Sequence, residues 1–287
     1  MFNKKIKKAS GEEFNLLINN SKTILEDLTG IAIDLSKYNI KIAPKLDLEG
    51  RYSDKTIEVN KNIKIKEFKS VAVHELSHGL QDNYNLLNNV NPNVLNHLSK
   101  EYNLLNIFRF TILNKKYNKQ NAVFYLRQSI SEAFAYFNDS FTSVVDNKSL
   151  NLYEKRTQMA KNLASNLSFH EFRNFRFLIK NLDFETNPKN GKLIFNQDHL
   201  DPITVSILNK PDVDLKLGSF IALISFAAND FSILKTSESL FKPWKNILYN
   251  LNNTLNDANQ WQKIENNLIN LKIYTNKRIF TKTKVPI

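Results

Sequence analysis

The chain has 287 residues, is 42% hydrophobic and 11% aromatic, lacks cysteine and carries a formal net charge of +12. That apolar content excludes a disordered chain, and the missing cysteine excludes disulfides, thiolate metal sites and a cysteine nucleophile. The charge comes from Lys spread along the whole chain, so it reads as composition, with a basic nucleic-acid- or partner-binding protein kept as the alternative.

The N-terminus, MFNKKIKKASGEEF, is basic but lacks the apolar run of a signal peptide. A first helix is expected over 11–28, with Leu16, Leu17, Leu25 and Leu28 at helical spacing and Gly30 as its stop. Residues 38–43 and 56–60 alternate as strands do, and the stretch from Gly50 to Asp54 between them ends in turn formers. A helix over 65–84 carries VAVHELSHGLQD. Further helices are expected over 94–117, 121–143, 151–165, 169–182, 217–231, 237–255 and 260–276. The loop over 183–201 is the best internal boundary, since it holds Pro188 and Gly191 and leads into Pro202. Phe169, Phe172, Phe175 and Phe177 are read as core. The longest apolar stretch, 220–228, is too short to span a bilayer. The expected fold class is α+β and predominantly α-helical. The chain is expected to be cytoplasmic, or exported without a classical signal peptide.

The chemistry concentrates in HELSH. His74 and His78 are four apart, so on a helix they share a face. Two imidazoles so placed can each bring a nitrogen to one zinc ion. Glu75, one residue on, is rotated off that axis. It is poorly placed to ligate and well placed to take a proton from water attacking a carbonyl. This is the H-E-x-x-H arrangement. The flanking Val71, Ala72, Val73, Leu76, Ser77, Gly79 and Leu80 are uncharged, as a helix buried beside a cleft requires.

A catalytic zinc site takes three protein ligands. Gln81 and Tyr84 stand where the metzincin pattern needs Gly and His. The third ligand is therefore sought downstream. Glu132 lies in the apolar run ISEAFAYF and needs a reason to be buried. Glu101 is the alternative, in more polar surroundings. Asp139, Asp82 and Gln81 are candidates to orient the imidazoles. Tyr136, His170 and His199 are candidates to donate to an oxyanion.

With these residues in place, VAVHELSHGLQD together with SEAFAYFND resembles the gluzincin metallopeptidases. A looser likeness is to ImmA-type peptidases, through Gly50, Tyr52, Ile57, Val59 and Asn60 ahead of the motif. The resemblance covers residues 38–140. It implies a zincin-like core over 1–145, with a small antiparallel sheet and an active-site helix. A helical region over 146–287 would complete the cleft or form a second subdomain. It implies one Zn2+, held by His74, His78 and Glu132, with Glu75 as general base. It also implies a strand before the motif helix that edges the cleft and pairs with a protein or peptide substrate. Thr56, Ile57, Glu58 and Val59 are the expected strand.

Overall fold

The computed structural model describes residues 5, 6, 9–83, 115–145, 147–210, 212–229 and 244–273. The first helix, α1 (Gly11–Thr29), begins where the Ser10 hydroxyl accepts the Glu13 N–H. It stops at Gly30, whose φ of 66° only glycine adopts readily. Three strands follow: β1 (Asn39–Ala43), β2 (Gly50–Ser53) and β3 (Thr56–Asn60). Asp54 and Lys55, both at positive φ, form the two-residue turn that pairs β2 with β3 as a hairpin. Ile57 and Val59 point inward and are fully buried. On the other face Glu58 spans all three strands, ion-paired to Lys41 at 3.2 Å and to Arg51.

The sheet is mixed, not antiparallel. Its order is β1-β3-β2, with β1 parallel to β3. The chain reverses twice between β1 and β3, so the two run the same way. This also corrects the expected cleft strand. Thr56, Ile57, Glu58 and Val59 sit in the central strand, paired on both sides. The edges are β1 and β2, and β2 is the one that lines the cleft.

The motif helix, α2 (Ile65–Asn83), lays Phe68, Val71, Ala72, Leu76 and Leu80 on the sheet and α1. With Ile18, Leu25, Ile57 and Val59 they form one apolar cluster. The second cluster is helical. It is built from α3 (Lys115–Val145), α4 (Leu152–Ala164), α5 (Phe169–Lys180), a hairpin of β4 (Phe184–Thr186) and β5 (Leu193–Phe195), α6 (Pro202–Leu208), α7 (Val213–Ala228), α8 (Trp244–Asn256) and α9 (Ala258–Asn270). Capping boxes at Asn151 and Ser168 start α4 and α5. Asp201 with Pro202 starts α6. Every residue of α7 from Leu217 to Ala227 is buried, so the longest apolar stretch of the chain is a core helix. None of the described helices is long and apolar enough to cross a membrane.

α3 is the hinge of the architecture. One side meets α2 and the other meets α7. The apolar core divides between α2 and α3, because α3 buries its apolar residues with the second cluster. The loop over 183–201 is no boundary. It contains the β4–β5 hairpin and contributes Phe195 and Leu200 to that cluster. Of the four aromatics read as core, Phe172 and Phe175 are buried and Phe177 is exposed.

The α3–α7 contact is tight enough to demand glycine. A Cβ on Gly218 would stand 2.4 Å from the Cβ of Glu132 and 3.0 Å from the Ala133 nitrogen. Gly218→Ala is expected to destabilise the fold by about 1–3 kcal/mol, the usual cost of overpacking. Gly11→Ala, where a Cβ meets nothing within 4 Å, should change it by less than about 1 kcal/mol. Urea unfolding of the two variants checks the contrast, and equal losses would contradict it.

Candidate metal centre

His74 and His78 project from α2 toward α3, where Glu132 meets them. The two Nε2 atoms lie 3.2 Å apart, and each is 3.5 Å from one oxygen of Glu132. Tetrahedral ligation at 2.0–2.2 Å places donor atoms about 3.3 Å apart, so the three groups are spaced to hold a metal ion. Two further features fit. Two imidazole nitrogens facing each other need a shared proton or cation between them. Glu132 Oε2 is buried without a hydrogen-bond partner, a costly state that a cation relieves.

The surroundings orient the ring nitrogens. Ser131 Oγ lies 3.0 Å from His78 Nδ1 and donates its own proton to Gln81 Oε1. Ser131 therefore accepts from Nδ1–H, which leaves the His78 Nε2 lone pair facing the cluster. Asp139 Oδ2 stands 4.0 Å from His74 Nδ1, while its other oxygen accepts from Ser70 of α2. Asn138 donates to Ser77 at 3.1 Å and ties the two helices one turn further on.

The electrostatics show a site built for positive charge. Burial opposes protonation of His74, yet the facing Glu132 carboxylate, with the charges of Glu75 and Asp139, raises its pKa to about 9. His78 is lowered, by burial first and by His74. Burial alone would raise Glu132, but the two imidazoles hold it below its ordinary value. Burial raises Asp139.

Glu75 lies outside the three-residue cluster. It is 6% exposed, and burial pushes its pKa up to about 7. β2 runs directly against it. A Cβ on Gly50 would come within 2.7 Å of Glu75 Oε1, and the Tyr52 backbone N–H donates to the carboxylate. The Asn60 N–H bonds the Glu49 carbonyl at 2.9 Å. By the alternation of antiparallel pairs, the main-chain groups of Gly50 and Tyr52 then point away from β3. Tyr52 is pinned from its other end, since its hydroxyl donates to Asp82 at 2.7 Å.

These groups line one cleft of about 720 Å³. β2 forms one wall. α3 forms the other, with Tyr136 packed edge-on against His74 at 5.0 Å between ring centroids. Burial raises the Tyr136 hydroxyl, so it stays protonated. The far end is polar and uncharged, with Ser140, Ser143, Asn162 and Ser165.

The structure thus brings together His74, Glu75, His78, Glu132, Tyr136 and Asp139. It separates the remaining sequence candidates. Asp82 serves Tyr52 rather than an imidazole. Gln81 acts through Ser131. His170 is exposed on α5, and His199 pairs with Asp183 away from the cleft. Glu101 lies outside the described residues. Ser131 and Ser70 were not anticipated, and Gly50 and Tyr52 carried only the ImmA-type likeness, with no role at the site. Ser131 left one signal, a hydroxyl beside Glu132 in an apolar run.

Comparison with protein-family models, with curated proteins and with solved structures gives no match.

Ser131→Ala removes the acceptor of the buried His78 Nδ1–H. It is expected to weaken divalent-metal affinity about 10–100-fold, the usual effect of losing a ligand's orienting partner. Competition against a chelator of known affinity measures this. An unchanged affinity would mean that Ser131 does not set the His78 tautomer.

Proposed function

We propose that the chain is a zinc-dependent metallopeptidase that hydrolyses peptide bonds in the cleft between β2 and α3. The observation that carries this reading is Glu75. It is buried beside the His74–His78–Glu132 group and lines the same cleft, yet it is not one of the three ligating side chains. A structural metal site takes a fourth protein ligand and has no use for such a carboxylate. Two imidazoles and one carboxylate are a common catalytic zinc set, whereas magnesium and calcium favour all-oxygen sites.

Zinc held there supplies Lewis acidity and lowers the pKa of its water. The chain's own groups supply the rest. Glu75 takes the proton from the attacking water and passes it to the departing amine. The Tyr52 N–H fixes the carboxylate, and Gly50 lets the strand come close enough to do so. Tyr136, ring-packed on His74, offers its hydroxyl to the oxygen of the attacked carbonyl. An extended substrate lies along the free edge of β2, where Gly50 N–H and C=O and the Tyr52 C=O are available to its backbone. The nucleic-acid alternative is disfavoured by the lining. Glu49, Glu75, Glu132 and Asp139 repel phosphate, and the lining Arg51 is bound to Glu58.

Glu75→Gln should keep its metal and lose about 10²–10⁴-fold in peptide hydrolysis. His74→Ala and Glu132→Ala should lose the metal itself. Tyr136→Phe should retain metal and lower kcat about 10²-fold. Elemental analysis of the purified variants, with mass spectrometry of a digested peptide mixture, separates these outcomes. Full hydrolytic activity in Glu75→Gln would sink the mechanism.

A further inference from the structure

Four carboxylates line the cleft, and the mechanism uses three of them. Glu75 works on water, Glu132 ligates and Asp139 holds His74. Glu49 is left over. It stands at the cleft rim, one residue before β2, where its carbonyl is held by the Asn60 N–H. Its carboxylate makes no ion pair or hydrogen bond among the described residues. The charged groups that act on it are Glu67, Asp139 and His74, two of them negative. It does not belong to the His74–His78–Glu132 group, so a metal there does not serve it. In a chain with 40 Lys and Arg, this rim carboxylate has no cationic Lys or Arg partner among the described residues.

Its neighbours describe the missing partner. Leu48, next to it and also lining the cleft, is 57% exposed, and Leu215 lines the same cleft. An apolar side chain beside an unpaired carboxylate matches a long amphipathic side chain, with its aliphatic stem on the leucine and its charged head on the acid. Gly50 touches Glu75, so Glu49 is adjacent to the reacting point. At about 3.3 Å per residue, a side chain reaching Glu49 comes from within about two residues of the scissile bond.

We propose that the cleft selects peptides with a Lys or Arg within about two residues of the scissile bond, with Glu49 receiving the cationic head and Leu48 the stem. This rests on the peptidase reading for the word scissile, but the recognition itself is a binding event and is tested as one. The probes are fluorescent ten-residue neutral peptides in which one position is Lys, Arg, Gln or Glu. Each is made with a free and with an acetylated N-terminus. Binding to the metal-loaded protein is read by anisotropy, and cleavage by mass spectrometry.

The Lys and Arg peptides should bind about three- to tenfold more tightly than the Gln peptide, the range of a partly exposed ion pair. Glu49→Gln should abolish the difference and Glu49→Lys should invert it, with metal content and thermal midpoint unchanged. Equal affinities in the parent protein, a preference that survives Glu49→Gln, or no measurable binding of any peptide would each overturn the proposal. A preference that follows the free N-terminus and not the side chain would also overturn it, in favour of amino-terminus capture. A Lys preference lost in Glu49→Gln without any hydrolysis would support the recognition and count against the peptidase reading. Hydrolysis without the preference would do the reverse.

Discussion

The structure depends on one constraint: a carboxylate from α3 must face two imidazoles from α2 inside a nearly dry interface. Glu132 is 5% exposed. A buried carboxylate is tolerated only where positive charge or donors meet it. Its two oxygens have His74 and His78 in front of them, and the three groups are spaced so that they could hold an ion between them. The α2–α3 packing, the Ser131–Gln81 pair behind His78 and the Asp139–Ser70 pair behind His74 all serve to hold this contact. Without the cluster, the polar groups on these facing helices would have no reason to be there.

Glycine economy shows how the helices and strand are brought into range. The chain has six glycines, and three of them sit where backbone meets a site wall. Gly218 lets α7 press against the backbone that carries Glu132. Gly50 lets β2 touch Glu75. Gly79 admits Tyr38 and Tyr52 against α2, where a Cβ would be 2.6 Å from the Tyr38 ring. The two glutamates thus owe their positions to atoms that are missing elsewhere in the chain. The helical second half does more than flank the cleft, since α7 sets the depth at which the third ligand stands.

Much of this was legible in the sequence, and the reasons are local. The i,i+4 spacing of His74 and His78 is fixed by helix geometry, and Glu132 betrayed itself as an acid in an apolar run. Gly30 ended α1 because left-handed backbone is a one-residue matter. What was not legible depends on pairing over distance. Nothing within 56–60 says that both of its sides are occupied, so β3 was taken for the cleft edge that β2 forms. Asp82 looked like a partner for an imidazole, but the identity of its neighbour, Tyr52, is decided by how the sheet meets α2. The break expected between 117 and 121 does not exist, because α3 runs unbroken from Lys115 to Val145. The division of the core between α2 and α3 likewise follows from where α3 buries its apolar face, which sequence spacing does not reveal.

The placement of the cluster at the seam between two apolar cores has a thermodynamic consequence. Two of the ligating side chains belong to the helix of the first core and the third to a helix of the second. An ion bound there is a cross-link between two otherwise separately packed bodies, and its binding energy is added to their association. At a free concentration a thousand times its dissociation constant, such an ion stabilises the joined state by about 4 kcal/mol. Were an ion held there, binding it and closing the seam would be one equilibrium, and the chain's cohesion would rise and fall with the supply of that ion.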